Sequence, residues 1–137
     1  MLIKMINFGI KEMPERAHYN DAGADVRLLE DVVISGRGIK KIPLGFGLEI
    51  PDGFAGFIMP KSGLSSKGLV TEMSPIDSGY RGEIHAIVTN HSEAPQILKA
   101  GDKIGQLVIF PIVLAQFSLQ EDLFSQRGDG AFGSTGK

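Results

Sequence analysis

Residues 39–59 read IKKIPLGFGLEIPDGFAGFIM. Three short runs rich in Ile and Phe, at 39–42, 46–50 and 54–59, are parted by Gly and Pro, with Pro51-Asp52-Gly53 a plain turn signal. No amphipathic helix fits between such breaks, so the runs read as strands. The same grammar extends both ways: 24–29, 31–34, 83–89, 104–110 and 113–119 are further strand candidates, and Ser35-Gly36-Arg37-Gly38 and Ala100-Gly101-Asp102 are further turns. The longest stretch free of Gly and Pro before the tail, 112–127, alternates Ala115, Phe117 and Leu119 with Gln116, Ser118 and Gln120, a period of two rather than 3.6. Only 62–67 is short and loop-flanked enough to form a brief helix. The expectation is an all-β domain: sandwich, jelly roll or barrel.

Length and composition agree. At 137 residues the chain holds one core, and with 42% hydrophobic residues it is not a disordered sequence. Glycine, at 18 residues, is roughly twice ordinary usage and calls for a positional reason. The absence of cysteine closes disulfides, thiol nucleophiles and cysteine-bound zinc. The N-terminal apolar run is broken by Lys4, Asn7 and Gly9, and no apolar stretch has membrane-spanning length, so the expectation is a soluble, cytoplasmic protein with no membrane partner. A net charge of −2 offers no broad field for nucleic acid, and any bound anion must be held by a few local groups.

Three segments carry candidate chemistry. Residues 60–68, PKSGLSSKG, put a lysine, three hydroxyls and flexible backbone after a strand, the donors a phosphate needs. Residues 75–83, PIDSGYRGE, place a tyrosine three positions after an aspartate in a hairpin-like turn. The tail from Arg127, RGDGAFGSTGK, sets Arg and Phe among glycines; its Gly-to-Gly-Lys spacing is one residue too long for a P-loop and no helix can follow. Taken singly, each is also what ordinary polar turns are made of. The three histidines, His18, His85 and His91, pair with no carboxylates at metal-site spacing, and no serine has a His and Asp set to activate it.

In order, however, the segments resemble the five motifs of the trimeric dUTP diphosphatases, the dUTPases. AGADV at 22–26 is similar to the first, PKSGL at 60–64 to the second, SPIDSGYRGE at 74–83 to the third, GDKIGQL at 101–107 to the fourth and RGDGAFGSTG at 127–136 to the fifth. The resemblance implies a distorted β jelly roll over 1–126 and a flexible, glycine-rich C-terminal arm over 127–137. It implies a homotrimer with active sites shared between subunits and hydrolysis of dUTP to dUMP and diphosphate, with Mg²⁺ as cofactor. That reaction limits uracil in DNA and supplies the precursor of dTMP.

Carried over by position, Asp77 is implied as the general base that activates water at the α-phosphate, and Tyr80 as the residue that packs against deoxyribose and excludes a 2′-hydroxyl. Backbone around Ile76, with His85, is implied to read the uracil edge. Lys61, Ser62, Gly63 and Gln106 are implied phosphate contacts, and Phe132 is implied to stack on uracil. Arg127, Ser134 and Thr135 are implied at the γ-phosphate end, and Gly133 in substrate binding. Asp25 is implied to reach the Mg²⁺ through its water ligands. The chain departs from the pattern at Lys61, where Arg is usual, at Gly79, where Asp is common, at Thr71, where several members have Asn, and at Ala131, where Gly is common. Lysine replaces a planar fork by a point charge. Two other readings are carried beside it: a dCTP deaminase-related enzyme, which would use a different, Arg-rich second motif with a catalytic Glu, or a relative that binds nucleotide as a switch for a protein partner.

Overall fold

A computed structural model describes residues 1–122. The arm residues Arg127, Phe132, Gly133, Ser134 and Thr135, and the boundary expected after residue 126, lie outside the described residues.

Among the described residues, eleven strands and one single-turn helix follow in order: β1 (Lys4–Asn7), β2 (Ala24–Arg27), β3 (Val32–Ile34), β4 (Ile39–Pro43), β5 (Phe46–Glu49), β6 (Phe54–Met59), α1 (Ser62–Ser65), β7 (Leu69–Thr71), β8 (Pro75–Ile76), β9 (His85–Asn90), β10 (Gln96–Leu98) and β11 (Lys103–Pro111). They form four small antiparallel sheets, in the orders β1-β5, β10-β3, β2-β11-β6-β8 and β4-β9-β7. Strand-rich composition with frequent breaks leads to this result because short antiparallel strands can turn back within a few residues.

The inward residues of these sheets meet in one core. Phe46, Leu44, Leu48 and Ile50 from the β5 region pack with Ile34, Ile42, Leu69, Val88 and Ile104, all nearly sealed from solvent. Asn90 is a polar side chain sealed within this core. Its amide nitrogen donates to the carbonyls of Ile34, Ser35 and Ala94, so it closes the 35–38 turn against the loop after β9.

Most expected strands are present with ends shifted by a residue or two, and the brief helix begins at Ser62 as expected. Strands β1, β7, β8 and β10 were not anticipated, since each is four residues or fewer and carries too little periodicity to stand out. The strand expected at 113–119 is absent. Val113, Leu114, Phe117 and Leu119 are between 73% and 101% exposed, and among the described residues no sheet pairs with that segment. Alternation supplies a strand's side-chain pattern, but its hydrogen bonds need a neighbour.

Candidate active site

Two groups of residues stand out, both anchored on β6 and the segments that pair with it or leave it. The first lies along the loop between β8 and β9, which belong to different sheets. Strand β8 pairs with β6 through Ile76↔Gly56 and Pro75↔Phe57, which fixes where the chain leaves the sheet. The chain then turns, with the Tyr80 N–H donating to the Asp77 carbonyl at 3.1 Å, and returns to the core at Ile84, whose N–H donates to Phe46 and whose carbonyl accepts from Leu44. The Asp77 side chain is left exposed, and the Ser78 hydroxyl is tied to Asp52 at 2.8 Å.

Glu83 braces this turn. Its carbonyl accepts the Tyr80 hydroxyl at 2.8 Å and Nδ1 of His85 at 3.1 Å, while its carboxylate accepts the Gly45 N–H at 2.9 Å. A carbonyl only accepts, so His85 carries its proton on Nδ1 in that contact. Gly82 lets the tyrosine lie flat, since a Cβ there would stand 2.5 Å from the Tyr80 hydroxyl oxygen. Ile76, Asp77, Tyr80 and His85 thereby line one cleft of about 270 Å³, which also takes in Glu72 and Lys41.

The second group joins three distant stretches of sequence. Asp25, on β2, is buried, with its Oδ1 3.0 Å from the Lys61 ammonium and its Oδ2 3.1 Å from that of Lys103. Burial pushes its carboxyl up, but the hydrogen bonds and charges of the two lysines together outweigh that and hold it below the usual carboxylate range. Lys61 lies two residues beyond the end of β6, and Ser62 and Gly63 open α1 beside it. A Cβ at Gly63 would meet nothing within 4 Å, so space is open above this turn. Gln106, on β11, faces Asp25 across one neighbour and Met59 across the other. Gly23 makes room for it, because a Cβ there would come within 2.5 Å of the Cβ of Gln106.

The structure thus brings Asp25, Lys61, Ser62, Gly63 and Gln106 together, and separately Ile76, Asp77, Tyr80 and His85. The cleft that holds the second set is not lined by the first. Thr71 belongs to neither: it is buried and donates its hydroxyl to the Ile104 carbonyl at 3.1 Å. Two residues escaped the sequence reading. Glu83 does so because its contacts are mostly made by backbone. Lys103 does so because it stands three positions from Gln106, on opposite faces of a regular strand; a register shift between Lys103 and Gly105 sets Lys103 against Arg27 and Gln106 against Asp25, and so turns both to one side.

The set also fits a magnesium ion carried in by phosphates. Among the described residues no three His, Cys, Asp or Glu side chains cluster to form a protein cage. The buried Asp25 carboxylate gives one contact per oxygen to the two lysines, leaving lone pairs for water ligands of such an ion. Among the described residues, no helix is long and apolar enough to cross a membrane.

Comparison with known proteins places this geometry. A sequence profile of the dUTPase family matches residues 10–136. The deoxyuridine 5'-triphosphate nucleotidohydrolase of Anaeromyxobacter sp. is 42% identical over 130 residues, covering 92% of this chain and 88% of that protein. Among solved structures, a point mutant of the Staphylococcus bacteriophage 80alpha dUTPase with dUpNHpp superposes with a TM-score of 0.90 at 28% identity, covering 98% of each chain. A mutant dUTPase from phage phi11 of S. aureus, described as coordinating a structural Mg(II) ion, gives 0.82 at 27% identity, covering 89% of this chain and 98% of that one. The profile match across nearly the whole chain and the identity to these relatives show that this chain belongs to the dUTPase family.

Proposed function

We propose that the protein hydrolyses dUTP to dUMP and diphosphate, with Asp77 as the base that draws a proton from the water attacking the α-phosphate. The observation that carries this reading is the cleft beside the β8–β9 loop, lined by both an exposed carboxylate and a braced tyrosine. Deoxyribose packs against the Tyr80 ring, and the bond from its hydroxyl to Glu83 keeps that ring where a 2′-hydroxyl would collide with it. Backbone around Ile76 and the ring of His85 face the uracil edge.

The phosphates lie toward Lys61, Ser62, Gly63 and Gln106, and Asp25 faces the water shell of a Mg²⁺ ion held by the phosphates. When bound, that ion neutralises phosphate charge and polarises the phosphoryl oxygens. Of the residues outside the described range, Phe132 is assigned to uracil, Arg127, Ser134 and Thr135 to the γ-phosphate end, and Gly133 to substrate binding. Because, among the described residues, the cleft is not lined by the lysine-bound aspartate, we assign the two to different subunits of a homotrimer, with shared sites. The exposed apolar residues of 113–119 favour that assembly, since the chain by itself leaves them in water.

Diphosphate release measured with dUTP, dCTP, dTTP and UTP in Mg²⁺ tests the activity. Turnover confined to dUTP is expected. Ammonia from dCTP without diphosphate from dUTP would assign the chain to the deaminase reading.

A further inference from the structure

The Asp25 carboxylate is gripped by two lysines where one would neutralise it. Its side chain is 8% exposed, against 24% for Lys61 and 38% for Lys103. Lys61 sits at the mouth of the phosphate-binding turn, and among the described residues its ammonium bonds to Asp25 alone. With Lys61 assigned to phosphate, a triphosphate competes with Asp25 for this ammonium as nucleotide arrives. A carboxylate stripped of its counter-ion in so buried a place is strongly disfavoured, which by itself would keep Lys61 where it is.

The geometry points to Lys103 as the residue that makes this handover possible. It holds the other oxygen of Asp25 from a different strand, so the carboxylate keeps a partner when Lys61 turns to phosphate. The register shift before Gly105 exists on β11 at the place where it brings Lys103 to Asp25. Lys103 is therefore a positioning residue: it acts on phosphate binding through Asp25 and Lys61, and it need not touch the nucleotide. The cluster carries one negative and two positive charges, leaving a local surplus of one positive charge in a protein whose net charge is −2. The role rests on the assignment of Lys61 to phosphate, and the experiment separates the two.

The measurement is the affinity of the full-length protein for dUpNHpp in the presence of EDTA, by titration calorimetry. Leaving out metal isolates the lysines from the Mg²⁺ function of Asp25. Lys61→Met is expected to weaken binding about tenfold or more, and Lys103→Met about tenfold, the loss of one charge-assisted contact. Lys103→Arg, which keeps the charge, should stay within about threefold of the starting protein. The distinctive expectation is rescue: in Asp25→Asn/Lys103→Met no carboxylate is left to strand, so Lys61 is free and affinity returns to within about threefold. Melting curves check each variant, and Lys103→Gln replaces Lys103→Met if the latter does not fold. If Lys103→Met binds normally while Lys61→Met does not, the handover is wrong and Lys61 still binds phosphate. If Lys103→Met is weak and Asp25→Asn fails to restore it, Lys103 meets the phosphate itself and the positioning role is overturned. If Lys61→Met binds normally, the assignment of Lys61 to phosphate fails first.

Discussion

Individual side chains divide the chemistry between an exposed carboxylate and a buried one. Asp77 has its oxygens in solvent at the cleft wall, as a base needs if water is to reach it. Asp77→Asn should abolish diphosphate release while dUpNHpp still binds within about tenfold, because the amide keeps the shape but cannot take a proton. Single-turnover assays beside calorimetry check this, and normal hydrolysis by the variant would rule Asp77 out as the base. Asp25 is the opposite case, an ion-paired anion inside the fold. Its folded-state carboxyl is depressed, so the stability it contributes is present above the ordinary carboxylate range and is lost as pH falls through the lower folded value. Melting temperatures from neutral to strongly acid pH should therefore fall more steeply for the native chain than for Asp25→Asn, and parallel curves would contradict the ion-pair account.

At the level of single elements, the β8–β9 loop owes its precision to backbone hydrogen bonds at both feet and to Glu83 between them. Pairing with β6 fixes the entry, the bonds between Ile84 and residues 44 and 46 fix the exit, and the Tyr80 hydroxyl is tied inside. Gly82→Ala tests how far this matters. The added methyl strikes the far tip of the tyrosine, which can swing away, so the melting temperature should change little. The displaced ring should instead lose discrimination: the ratio of kcat/KM for dUTP over UTP is expected to drop about tenfold, one pocket contact's worth of selectivity. An unchanged ratio would mean that Tyr80 does not guard the 2′ position.

At the scale of the whole molecule, the proposed homotrimer gives cover to residues that the described chain leaves exposed. Segment 112–119 carries strand-like alternation yet lies exposed, with Phe117 at 96% and Leu119 at 101%. A contiguous exposed apolar stretch of this kind marks an interaction surface. Phe117→Asp with Leu119→Asp should shift the mass measured by light scattering from three subunits toward one and lower activity with it, because the proposed sites are shared. A fully active trimeric variant would place the interface elsewhere.

Much of this was legible in the residues. Gly and Pro breaks between Ile- and Phe-rich runs dictate short strands, because backbone punctuation and side-chain type are local properties, and the ordered motifs carried the family with them. The residues around Asp77 and Tyr80 were readable for the same reason: the loop that carries them is contiguous in sequence. Tertiary structure alone decided what depends on partners far away in the chain. It paired Asp25 with Lys61 and Lys103 across 36 and 78 positions, because a shift in strand register redirects a side chain without leaving a trace in periodicity. It also left 113–119 without an edge, since alternation describes one strand's faces while a strand exists only when a neighbour accepts its hydrogen bonds.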